Sequence, residues 1–114
     1  MRPVYLALAL AISAEPPLAS DLVKQALGRV GAVITSAQRL GNQALVFSFE
    51  LRGEQLSELR PALREIGSLL DQTEAKLEQA ERTVPPTAEV VGSLHVTLMH
   101  NAPDERVELP RVPG

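Results

Sequence analysis

The stretch VYLALALAISAEPP, residues 4–17, follows directly on Met1, Arg2 and Pro3. Its reading decides the fold. A basic residue ahead of an apolar run, with Ser13-Ala14 behind it, has the outline of an export leader. The finer pattern is different. Val4, Leu6, Leu8, Leu10 and Ile12 alternate with Tyr5, Ala7, Ala9, Ala11 and Ser13. A strict period of two, large side chains against mostly small ones, is the pattern of a strand with one face in a core. A leader has no need of it. The stretch therefore reads as the first strand, and the protein as cytoplasmic. The alternative is an exported or periplasmic protein with residues 1–14 as leader.

Proline cannot donate to a sheet ladder, so Pro16-Pro17 ends the strand. Leu18, Leu22, Val23, Ala26, Leu27 and Val30 then recur at helical spacing, which predicts a helix from about Leu18 to Arg29. Beyond Gly31, the runs AVITSAQRL and QALVFSFEL flank Gly41-Asn42. Two β-prone runs about such a dipeptide predict a hairpin with a two-residue type II′ turn. In that register Leu40 faces Gln43, Gln38 faces Leu45, Ser36 faces Phe47 and Ile34 faces Phe49. Leu45, Phe47, Phe49 and Leu51 then lie under the helices, with Gln38 beside Leu45. A buried amide needs a partner, so Gln38 becomes a candidate ligand contact.

Leu59, Leu63, Ile66, Leu70, Thr73, Leu77 and Ala80 step by threes and fours and predict one long helix, about Ser57 to Arg82. Pro61 calls for a kink or a separate first turn. A last strand follows over about Glu89–Met99, with Leu94, Val96 and Leu98 on one face. The order β-α-β-β-α-β implies a ferredoxin-like two-layer sandwich, a four-stranded antiparallel sheet with two helices on one face. One domain spans residues 1–101. Residues 102–114 form a proline-rich tail in which Arg106-Val107-Glu108-Leu109 could add an edge strand.

Residues 14–51 resemble the start of an ACT domain, a small-molecule regulatory module of amino-acid metabolism. Pro16 and Leu18 match the family's first turn; Gly31, Ala32 and Ile34 match its entry to strand two. Ala14, Pro17 and Val33 stand at the family's acidic, glycine and asparagine positions. The resemblance implies the ferredoxin-like fold and a non-enzymatic ligand site at the first turn, at Glu15 and Pro16.

Composition narrows the rest. Eleven basic residues are scattered among 14 acidic ones, for a net charge of −3, and only three residues are aromatic. Nucleic-acid binding calls for a basic patch, often with stacking rings, and neither is visible. The absence of cysteine removes disulfides, thiolate nucleophiles and cysteine-type zinc sites. No apolar run reaches the ~18 residues of a membrane helix. His95 and His100, five apart on a strand, would point to opposite faces and make a poor metal pair. No cofactor is expected. The acidic and basic residues of the long helix read as a salt-bridged face. The face of the sheet away from the helices carries small apolar side chains, and a long helix would overhang that sheet. Both predict a homodimer, through the open sheet face, the helix or the tail.

Overall fold

The computed structural model describes residues 2–99. The chain runs β1 (Val4–Ile12), α1 (Pro16–Val30), β2 (Val33–Leu40), β3 (Ala44–Arg52), a 3₁₀ turn (Gly53–Gln55), α2 (Leu56–Ile66), β4 (Ser68–Leu70), α3 (Thr73–Thr83) and β5 (Glu89–Leu98). The expected strand at residues 4–12 is present as β1. The predicted tail, residues 102–114, lies outside the described residues, as does His100.

The sheet departs from the ferredoxin-like expectation. Among the described residues it has five strands, not four, in the order β2-β3-β5-β1-β4, and it is mixed rather than antiparallel. Strand β5 runs parallel to β1 along its whole length, from Val4 opposite Val90 to Ile12 opposite Leu98. On its other side β5 pairs antiparallel with β3. The last strand, expected at the edge beside β1, is thus inserted between β1 and β3. Val90, Gly92, Leu94, Val96 and Leu98 line its buried face. Gly92 makes room for this, because it lies opposite Phe49 and the end of that ring fills the space a side chain would take. A Cβ at Gly92 would sit 2.3 Å from Cζ of Phe49.

The edge position beside β1 goes instead to β4, three residues that no helical periodicity foretells. The predicted long helix is therefore two helices. The break falls at Gly67, whose backbone passes so close to β1 that a Cβ there would lie 2.2 Å from the Ala11 carbonyl oxygen. Two consecutive residues with positive φ, Asp71 and Gln72 at 52° and 64°, then turn the chain into α3. Helix α3 continues down the edge of β1 where β4 stops. The Thr73 hydroxyl accepts a hydrogen bond from the Ala9 amide at 2.8 Å, and Lys76 Nζ donates to the Ala7 carbonyl at 3.2 Å. Leu77 and Ala80 are buried within this same chain. The overhanging helix does not exist, and it gives no reason for a dimer.

The hairpin also differs in register. Leu40 faces Ala44, Arg39 faces Leu45, Gln38 faces Val46 and Ala37 faces Phe47, so the loop has three residues, Gly41 to Gln43. An irregularity between Ile34 and Ser36 absorbs the slip and restores the expected pair of Ile34 with Phe49. Leu45, Phe47, Phe49 and Leu51 keep their predicted burial, since β5 rather than β2 fixes their face. They join Leu8, Leu10, Ile12, Val23, Leu27, Leu59 and Leu63 in one aliphatic core. Helix α2 carries Pro61 inside it without ending, preceded by the separate turn at Gly53–Gln55.

The Gly92–Phe49 contact gives a direct test. Gly92→Ala is expected to destabilise the protein by about 1–3 kcal/mol, the usual cost of forcing an extra carbon into a filled core, read by urea denaturation. Phe49→Leu in the same background is expected to recover part of that loss, because it removes the ring that clashes.

Candidate functional site

Three places on the surface combine shape with chemistry. The first is a cleft of about 340 Å³ between the start of α1 and the β2–β3 hairpin. Pro16, Ala37, Leu45 and Phe47 give it apolar walls; Ser20, Gln38 and Arg39 are its polar lining. The sequence-predicted residues divide here. Pro16 and Gln38 both line the cleft, and Glu15 does not. Glu15 is the exposed N-cap residue of α1, and its side chain makes no capping hydrogen bond. Gln38 does not sit beside Leu45 under the helices as expected. It is exposed and pairs with Val46 on the opposite face, and the residue beside Leu45 is Arg39. The one-residue longer loop exchanged them. Arg39 donates through Nε to the Gly41 carbonyl at 2.8 Å and through its terminal nitrogen to the Asn42 side chain, which holds it along the hairpin.

The second place is the sheet face without helices. Paired residues share a face, so the registers of four strands define its rows. The central row is Ala7, Ser93, Ser48 and Ser36. On one side lie Ala9, His95, Val46 and Gln38; on the other, Tyr5, Val91, Glu50 and Val33. Among these twelve, His95 contributes an imidazole and Glu50 a carboxylate. The Tyr5 ring is 74% exposed. Beside it the small central row leaves a depression of about 260 Å³, lined by Ala7, Ser48, Val91 and Ser93 among others.

The third is the seam between α2 and α3. Arg60 reaches across from α2 to Glu81 at 3.1 Å, Glu74 at 3.1 Å and Glu78 at 3.5 Å. Glu74 also meets Arg64 at 3.3 Å. The hydrogen bonds to Glu81 first and Glu74 second hold the Arg60 guanidinium's pKa above its already high value. Arg60, Arg64, Glu74, Glu78 and Glu81 form the salt-bridged face that their spacing predicts, with Arg60 and Glu81 half-buried in it. The spacing did not show that the pairs join two helices, because the helices were read as one. Gln55 was missed as well. Its amide donates to the Val30 carbonyl at 3.1 Å, and its side-chain oxygen accepts from the Arg52 amide at 2.7 Å, tying the end of α1 to the start of α2.

Among the described residues no three His, Asp or Glu side chains gather into a metal-ligating group. No helix among them is long and apolar enough to cross a membrane. Comparison of the chain with protein-family models, with curated proteins and with solved structures returned no match.

The Arg60 cluster is partly exposed, and screening by salt weakens such pairs. Arg60→Ala is expected to lower the melting temperature in dilute buffer. The deficit should shrink in ~1 M NaCl, where the Debye length falls to about 3 Å. A deficit independent of salt would assign the loss to packing of the arginine stem instead.

Proposed function

We propose that this chain is a non-enzymatic assembly module, a homodimer joined through the helix-free face of its sheet. The observation that carries this reading is the self-complementary relief of that face. A large exposed ring, Tyr5, stands next to a depression floored by serine and alanine. In an isologous pair each copy offers its knob to the other's hole. A face of small apolar and hydroxyl side chains then leaves water. A form cut after Ala14 would lose the whole of β1.

Sedimentation equilibrium tests this. The expected mass is twice the 12.3 kDa of one chain. Ser93 is exposed at the centre of the face, so Ser93→Arg should leave the fold intact and return the mass to one chain. A single-chain mass that persists to about 100 µM protein removes the reading, as that leaves any self-affinity weaker than ~5 kcal/mol. A dimer untouched by Ser93→Arg places the interface elsewhere.

A second reading, the ACT-like ligand-binding module, is favoured by the cleft that brings Pro16 and Gln38 together. It predicts that one or more free amino acids raise the melting temperature in a concentration-dependent way, and that Phe47→Ala or Arg39→Ala abolishes the shift.

A further inference from the structure

Strand β1 has an outer edge, and only part of it is satisfied. The Ala9 amide donates to Thr73, and the Ala7 carbonyl accepts from Lys76. Since N–H and C=O of one residue point the same way along a strand, the backbone groups of the odd-numbered residues face outward. Strand β4 takes up the edge at Ala9–Ala11 and stops there. That leaves the Ala7 amide and both the amide and the carbonyl of Tyr5 without a hydrogen-bond partner among the described residues. They open into a groove of about 380 Å³ between β1 and α3. Leu6, Ala80 and Val84 give it apolar surface, and Lys76 is its one charged lining residue.

We infer that this groove takes up an extended peptide strand of a partner protein, one in which apolar and acidic residues alternate. Three features fix that occupant. The unmet groups are backbone donors and an acceptor in strand spacing, and another strand is what matches them. The added strand would extend the antiparallel ladder that β4 begins, in line with it along the same edge. The alternation follows from the geometry. A peptide residue opposite Leu6 points to the helix side, between β1 and α3, where the surface is apolar. Its neighbours, opposite Tyr5 and Ala7, point to the other side of the strand next to the Ala7 carbonyl that the Lys76 ammonium reaches, and an acidic side chain there is complementary. Strand β2 is the opposite edge of the sheet. It is mostly exposed and interrupted by its irregularity at Ile34–Ser36, the form of an edge protected against pairing.

The test is titration of the ¹⁵N-labelled full chain with the peptide acetyl-Glu-Val-Glu-Val-Glu-amide. Saturable shifts centred on the Tyr5 and Ala7 amides are expected, with slowed hydrogen exchange at both. The same peptide N-methylated at its glutamates loses the donors that face β1 and is expected to bind at least about tenfold more weakly. The lysine analogue, acetyl-Lys-Val-Lys-Val-Lys-amide, should also bind more weakly than the acidic one. Ala7→Pro removes one edge donor at a position where proline leaves the ladder to β5 untouched, and it should abolish the shifts with the fold retained. Absence of saturable shifts up to about 5 mM peptide overturns the inference, as does equal binding of the N-methylated form. It is likewise overturned if both amides are already protected without peptide and lose that protection when residues 101–114 are removed, since the groove would then hold this chain's own segment. The Ser93→Arg variant, single-chain by the dimer reading, is expected to bind the peptide normally, so the two proposals fail separately.

Discussion

The parallel pairing of β1 with β5 is the constraint on which the rest of the fold depends. Nine residue pairs join the two strands, and both present their large side chains to the helices. Once β5 occupies one side of β1, the other side is left to whatever follows α2. The chain between α2 and the start of β5 fills that side. It meets the requirement with a three-residue strand and then a helix that runs down the same edge. Thr73 and Lys76 supply from side chains the hydrogen bonds that a longer strand would have supplied from backbone. The sheet is thus closed on that side from Ala11 to the Ala7 carbonyl by two different devices in sequence, and open beyond it.

Much of this was legible in the residues. The alternation in residues 4–12 gave β1, and apolar spacing gave α1. The pattern Leu45, Phe47, Phe49 and Leu51 gave the buried face of β3 even though the hairpin register was wrong. That face depends on β5, and a one-residue change in the loop moves only β2. What was not legible had specific physical causes. Ile66, Leu70, Thr73, Leu77 and Ala80 fit a helical stripe, and they are buried or half-buried, but Leu70 lies in a strand and Thr73 is buried for its hydroxyl. A helical period cannot distinguish one helix from two that bury the same sides. The signal for the break was Gly67-Ser68, which weakens a helix without forbidding it. The position of β5 was hidden because burial on one face, which its alternation does reveal, does not say which strands flank it.

The candidate sites follow the same division. Pro16 was placed by the first turn, which is local and readable. Gln38 and Arg39 were exchanged because their facing depends on the loop length. The rows of the open sheet face, with Tyr5 beside Ser48 and Ser93, exist only through the registers of strands distant in sequence. The groove at β1 was beyond reach for the same reason, since one wall of it belongs to a helix boundary at Thr73 that periodicity did not mark.

The β1–β5 pairing has a consequence for how the protein comes into being. Val4 pairs with Val90, 86 positions later in the chain. At synthesis rates of ~5–20 residues per second, β1 is complete roughly 4–17 seconds before its parallel partner has been made. Through that interval the run of alternating leucine and alanine is an unpaired strand, with only the three residues of β4 to meet it earlier. Closing so distant a contact is also slow in the finished chain, since a long loop must be ordered before the pairing rewards it. The protein therefore spends its early life as a hairpin and helices around a missing centre. In that window its aggregation risk lies in residues 4–12, and a chaperone that holds extended apolar segments would have its binding site there.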